Sequence, residues 1–177
     1  AVDAVQGSGT IELTSSIALS DQVTIDSGKT IILDMNGETL SIGFSDSSKN
    51  LIVNNGTLTI TGDGTFDATE ATSYKGFINN YGTLTVENGT FQIADKAMTV
   101  HLRNQDGGKA VINGGTFSGG ATIVRSFEGS NTTITGGSFT NSVYPAVDVN
   151  GETLITGGIF TNTSCSRCDS QNWGYTV

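Results

Sequence analysis

Four charged residues in the second half of the chain are of the types that act on polysaccharides: Arg103, Arg125, Glu128 and Asp148. Two carboxyl groups can serve as acid and base on a glycosidic bond. In an acidic chain, however, such residues are more often solvated, or paired with one another at little gain in stability. We therefore expect no catalytic residues, and an enzyme is the least favoured alternative.

Aromatic residues with a polar tip are a second group with binding chemistry. Rings of this kind stack on sugar faces and are favoured at binding surfaces. We expect Tyr74, Tyr81 and Tyr144 to be ligand-binding residues. Trp173 and Tyr175 are expected instead to cover one end of the core.

The two cysteines, Cys165 and Cys168, do not indicate a metal site. Zinc needs further ligands, and the only histidine, His101, lies 64 residues before Cys165. A redox motif needs a βαβ context that the sequence lacks. We expect a local disulfide between the two cysteines, formed in an oxidising compartment. Pairing with another chain is the alternative.

No cofactor is indicated either. The stretch Ser27-Gly28-Lys29-Thr30 ends like a phosphate-binding loop, but that pattern requires glycine where this chain has Val23, and a helix must follow it. The net charge of −9, from 8 basic and 17 acidic residues, disfavours nucleic acid as a partner. No apolar run is long enough to predict membrane insertion.

The elements that would position these residues follow from a repeat. Phe66, Phe91, Phe117, Phe139 and Phe160 are separated by 25, 26, 22 and 21 residues. Periods in this range are typical of solenoids, in which each repeat forms one coil. Isolated hairpins or a β-sandwich would not place one phenylalanine at a fixed point in every repeat.

Each repeat contains a strand and two corners. In TLTVENGTF, Leu84 and Val86 alternate with Thr85, which predicts a strand with one buried face. A glycine corner separates the strand from the phenylalanine, and short segments of asparagine and glycine form a second corner before the strand. Glycine and asparagine accept positive φ readily, so the chain can turn at the glycine corner of every coil. Alternation at Met98, Val100 and Leu102 predicts a further strand, which gives a triangular coil with the phenylalanines in a buried column.

The phrases TIILDMNGETLSI, NNGTLTITGDGTF, NNYGTLTVENGTF and AVINGGTF resemble the pectate-lyase-like right-handed β-helix. More narrowly, they resemble repeat domains of large surface proteins in Gram-positive gut bacteria and of some phage tail proteins. It implies an all-β, single-stranded right-handed parallel β-helix of roughly six or seven coils. We expect one domain over 1–177, with N-terminal coils and cap in 1–50, core repeats in 51–161 and a C-terminal cap in 162–177. Lyases of this fold use an aspartate cluster with calcium and a basic residue as base.

The predicted function is that of a non-enzymatic extracellular module, an adhesin-like stalk or a repeat that binds glycans or a host protein. It would lie at the cell surface or virion surface. A structural subunit of a fibre or phage appendage is the alternative, with like subunits joined through rod ends or side faces. A polysaccharide lyase or hydrolase is third.

Overall fold

The chain forms the right-handed parallel β-helix that its sequence predicts. The computed structural model describes residues 1–44, 46, 48–70, 76–94, 99–141 and 144–162. The described chain coils through about six turns, and three parallel sheets run along its length. A short 3-10 helix, Val2–Ala4, lies at the N-terminal end. The prediction of the fold class is confirmed.

Each sheet takes one strand from each coil. The described strands of sheet A, in order along the axis, are β1 (Ser8–Glu12), β4 (Thr30–Asp34), β7 (Thr57–Thr61), β10 (Thr83–Val86), β13 (Lys109–Ile112), β16 (Asn131–Ile134) and β19 (Glu152–Ile155). Those of sheet B are β2 (Ile17–Leu19), β5 (Thr39–Ile42), β8 (Thr65–Ala68), β11 (Thr90–Ile93), β14 (Thr116–Ser118), β17 (Ser138–Asn141) and β20 (Ile159–Asn162). Those of sheet C are β3 (Val23–Ile25), β6 (Ile52–Asn54), β9 (Ile78–Asn80), β12 (Val100–Asn104), β15 (Thr122–Ser126) and β18 (Val147–Val149).

Strict register keeps equivalent residues in columns parallel to the axis. In sheet A, Leu84 pairs with Leu58 on one side and Ala110 on the other, and all three side chains are buried. Thr85 and Val111, which alternate with them, face outward. Because side chains of a strand alternate between its two faces, this register gives sheet A one core face and one solvent face.

The five repeated phenylalanines form one stack inside sheet B. Ring centroids of successive members lie 4.5 to 5.0 Å apart, and their planes are within 7° of parallel. The rings of Phe66, Phe91, Phe117 and Phe139 are buried, while Phe160 is partly buried on the last described coil. The glycine corner before each ring supplies the turn: Gly89 and Gly115 have φ of 117° and 96°.

The asparagine corners before the sheet A strands are built around buried side chains. Asn36 is the only non-glycine residue with positive φ in the described part of the chain. Asn54, Asn80 and Asn104 instead have ordinary backbone conformations and fully buried side chains at equivalent positions of sheet C. The amide nitrogen of Asn54 donates to Oδ1 of Asn80 (2.7 Å), and that of Asn80 donates to Oδ1 of Asn104 (2.8 Å). We call these three residues the asparagine ladder.

The ladder also satisfies backbone carbonyls at the corner. Asn80 donates to the carbonyl oxygens of Gly82 and Lys109, both at 3.1 Å. Asn104 ends the series by donating to Oγ1 of Thr132 (2.9 Å), which lies 3.0 Å from the hydroxyl of Ser126. The corners are therefore held by side-chain hydrogen bonds in the core, which a buried amide requires.

A second buried column lies at the start of the sheet C strands and includes the only histidine. Register places Leu51, Phe77, His101 and Ile123 at equivalent positions, and all four are buried. The His101 ring contacts Phe77 and Phe117, with centroids 5.5 and 5.9 Å apart. Its Nε2 lies 3.2 Å from the carbonyl oxygen of Gly119. Burial lowers the pKa of His101 to about 4, so the ring is neutral at pH 7.

The N-terminal end of the core is concave. A cavity of about 500 Å³ is lined mainly by inward side chains of the first two coils, among them Leu13, Leu19 and Leu33. It is therefore the open end of the core rather than a pocket built between loops. Among the described residues, no helix has the length and hydrophobicity needed to cross a membrane.

Candidate binding face on sheet C

The outward face of sheet C brings together the arginines that the sequence singled out. Arg103 on β12 pairs directly with Arg125 on β15, which pairs in turn with Asp148 on β18. Asn79 on β9 precedes Arg103 in the same column. Because adjacent strands of a sheet are about 4.8 Å apart, the column forms a short polar line along the axis. The inward neighbours are apolar residues and the asparagine ladder, which fix the strands that carry these side chains.

A second outward column lies just beyond the ends of these strands. Tyr81, Gln105 and Phe127 follow β9, β12 and β15, and their backbone N–H groups donate to the carbonyl oxygens of residues 54, 80 and 104. The backbone hydrogen bonds of the asparagine corners thus also position Tyr81, Gln105 and Phe127, each of which directly follows a residue in register with the asparagine ladder. We call these two columns together the sheet C face.

Phe127 lies beside both guanidinium groups. The Cζ atoms of Arg103 and Arg125 are 5.2 and 5.5 Å from the centroid of its ring. Cations at this distance from an aromatic face are attracted by its quadrupole. The ring is partly exposed, and it lies beside one arginine of its own coil and one of the preceding coil.

Arg125 also forms an ion pair with Asp148. Its Nε lies 2.7 Å from Oδ2 of Asp148, although the angle is not that of a hydrogen bond. Asn150 donates to the other carboxylate oxygen of Asp148 at 3.3 Å. The side chains of Arg125 and Asp148 are 34% and 13% exposed, and their ion pair fixes the direction of the arginine.

Amide and phenol groups complete the face at its other end. Gln105 donates to Oδ1 of Asn79 (2.5 Å), and Asn79 donates to the hydroxyl oxygen of Tyr81 (3.3 Å). The Tyr81 side chain is nearly half exposed. The result is a row of hydrogen-bonding groups that ends in an accessible aromatic ring.

The electrostatics of the face are set by the two neighbouring cations. Burial, followed by the positive charge of Arg125, lowers the pKa of Arg103 from its ordinary value. Both effects disfavour the charged guanidinium, although it stays protonated at neutral pH. An anion bound beside Arg103 would offset both effects, because it would attract the two cations.

The structure separates the other predicted residues from this face. Tyr144 is half-buried and precedes β18, whereas Tyr81 follows β9, so the two lie at opposite edges of a parallel sheet. Glu128 is exposed in the turn after β15, and no ion pair joins it to either arginine in the described chain. Tyr74, Cys165, Cys168, Trp173 and Tyr175 lie outside the described residues, as does Met98.

Sequence reasoning missed Asn79, Gln105 and Phe127 as members of the face. The signal was available in the repeat: each occupies a fixed place relative to an inward ladder residue. In the described ranges, no group of three or more His, Cys, Asp or Glu side chains is arranged to hold a metal ion. The groups on the face are arginine, carboxylate, amide and aromatic side chains.

No protein family, curated protein or solved structure matches this chain.

Proposed function

We propose that this protein is a non-enzymatic extracellular module that binds a glycan bearing acidic groups through the sheet C face. The observation that carries the proposal is the in-register pair Arg103 and Arg125, with Phe127 against both guanidinium groups. An arginine can bind a carboxylate or sulfate through two parallel hydrogen bonds.

The rest of the face suits a sugar. The exposed ring of Tyr81 offers a surface on which a pyranose can stack, and its neighbouring amides can exchange hydrogen bonds with hydroxyl groups. Sites that recognise polar ligands combine an aromatic surface with a few fixed polar groups in this way. The resemblance of the repeats to bacterial surface proteins favours a location outside the cell.

A binding experiment tests the proposal. Polygalacturonate, a sulfated glycan such as heparin and neutral dextran are titrated against the protein by isothermal calorimetry at low and physiological salt. We expect binding to one or both acidic polymers and none to dextran. Arg103→Gln should weaken that binding about tenfold or more, because a charge-assisted contact is lost.

The matched control is Lys109→Gln, which removes one positive charge from an exposed position on sheet A. If binding reflects only the general charge of the protein, both variants lose affinity equally and the sheet C site is rejected. Absence of binding to every polymer also rejects it.

A polysaccharide lyase is the second candidate, and the observation that favours it is the single column of Arg103, Arg125 and Asp148, in which Arg125 pairs with the carboxylate. Polygalacturonate is incubated with the protein and calcium, and ultraviolet absorbance is followed for unsaturated products. A rise that Arg103→Gln abolishes would replace the binding proposal with an enzymatic one.

A further inference from the structure

The outer face of sheet A has an uncharged centre with charged residues on either side. Its central column contains seven outward residues from Thr10 to Leu154, one on each strand, and none of them is charged. Four are threonines, and the other three are Ile32, Val111 and Leu154. The side chains of Ile32 and Leu154 are 41% and 57% exposed. These aliphatic groups lie in one column along the axis, with threonines between them.

We propose that two copies of this chain associate through the outer face of sheet A, with their long axes parallel and a two-fold axis between the faces. Such an arrangement places every residue of the central column opposite its own equivalent. Ile32 then contacts Ile32, Val111 contacts Val111 and Leu154 contacts Leu154 of the second copy. In the antiparallel alternative, strand order is reversed and these residues face Thr133, Thr59 and Thr10, so apolar groups meet hydroxyls.

The charged columns on either side of the centre fit the same arrangement. A parallel two-fold axis places the first outward residue of each strand against the last outward residue of the same strand in the second copy. The carboxylates then face hydroxyl groups: Glu12 faces Ser8, Asp34 faces Thr30, Glu87 faces Thr83 and Glu152 faces Thr156. Hydroxyl groups can donate to these carboxylates, which avoids repulsion in an acidic protein.

The remaining charge, Lys109, and the position of Glu87 separate the alternatives further. In the parallel pair, Lys109 faces Asn113 of the second copy and lies one strand from its Glu87, a favourable contact. In the antiparallel pair, Glu87 meets Glu87 at the two-fold axis, and like charges in an interface are unfavourable. Charge and hydrophobicity thus select the same orientation.

The size of the face predicts a weak pair. Seven strands and five residues of width give an area of roughly 30 by 15 Å, or about 1,000 Å² buried in total, which is at the lower limit for specific interfaces. We therefore expect a dimer that forms with rising concentration. This surface is separate from the sheet C face, which would remain exposed on both copies and act as two linked sites.

Sedimentation velocity over protein concentrations of roughly 10 µM to 1 mM tests the pairing in its expected weak range. We expect a shift from monomer to dimer for the natural chain. Ile32→Lys alone and Ile32→Glu alone should remain monomeric, because each places like charges in contact across the two-fold axis. An equimolar mixture of the two should recover the dimer, because Lys then faces Glu.

The control is Thr90→Lys, the same charge change on an outward position of sheet B. It should dimerise like the natural chain. The proposal is overturned if the natural chain stays monomeric, if Ile32→Lys dimerises normally, if Thr90→Lys is monomeric too, or if the mixture stays monomeric. In the antiparallel arrangement Ile32 faces Thr133, so single variants would not repel themselves and mixing would restore nothing.

Discussion

Two buried columns run through the same coils and are held in different ways. The phenylalanine stack in sheet B joins neighbouring coils through parallel rings 4.5 to 5.0 Å apart. The asparagine ladder in sheet C joins them through amide hydrogen bonds of 2.7 and 2.8 Å. Both columns have the same spacing along the axis, because both follow the register of the strands.

The two columns differ in how well they tolerate substitutions. Burial of an apolar ring is favourable in many orientations, so a smaller apolar residue loses only part of the contact. A buried amide must place each donor and acceptor against a partner, and the loss of one group leaves its partners unsatisfied. The stack therefore supplies stability that substitutions erode, whereas the ladder imposes a register that substitutions break.

The largest expected effect is that of Asn80→Leu. This change removes the donor to Oδ1 of Asn104 and an acceptor of the Asn54 amide, whereas the Gly82 carbonyl keeps the backbone N–H of Lys109. Unsatisfied buried groups cost about 1–3 kcal/mol each, so for these two fully buried amides we expect a loss of about 5 kcal/mol in the free energy of unfolding. Urea denaturation followed by circular dichroism measures it. Phe91→Leu on the same coil is the matched control, and an equal loss there would contradict the contrast between the columns.

Phe117→Ala is expected to have the next largest effect. Phe117 lies between Phe91 and Phe139 and contacts His101, so its removal leaves a cavity in the middle of the stack. Truncation of a buried phenylalanine to alanine destabilises by about 3–5 kcal/mol. The same denaturation experiment measures the loss, and an unchanged unfolding midpoint would show that the stack does not stabilise the fold.

A smaller effect is expected from acid, through the histidine that touches the stack. The pKa of His101 is about 4 in the folded protein, and the ordinary value of 6.5 applies to the unfolded chain. The unfolded chain therefore takes up the proton first as pH falls, so stability decreases from about pH 6.5 and this contribution levels off below about pH 4. Between these two pH values, protonation of His101 lowers the free energy of unfolding by about 3 kcal/mol in all.

His101→Phe checks the acid effect, because a phenyl ring can pack against Phe77 and Phe117 without titrating. The variant should lose less stability than the natural chain between pH 7 and pH 4, as measured by urea denaturation at each pH. Equal slopes for the two proteins would show that carboxylates alone cause the acid dependence.

The sequence predicted the stack but not the ladder, for a physical reason. A phenylalanine repeated after a glycine corner has few roles other than burial, so its spacing predicts both the coil and the column. Asparagine beside glycine is common in turns and is also able to form a buried ladder, and only the register of Asn54, Asn80 and Asn104 distinguishes the two.

The sheet C face was predicted in part. The arginines and Asp148 stand out as charges, but their arrangement depends on the varying lengths of the loops between coils. Phe127 resembles a core residue by type, and only the position of its backbone one place beyond β15 shows that its ring lies beside the arginines. Patterns within one repeat thus predict the coils. The contacts between coils can be identified only from the register of their strands in the structure.

The hydrogen bonds between coils point along the long axis of the molecule, and this has a mechanical consequence. Tension between the two ends loads those bonds directly, and each end coil can peel away while the next remains closed. The asparagine ladder adds side-chain links in the same direction, from Asn54 on β6 to Thr132 on β16. Under load the rod would therefore give way from its ends, and the coils that carry Arg103 would be among the last to open.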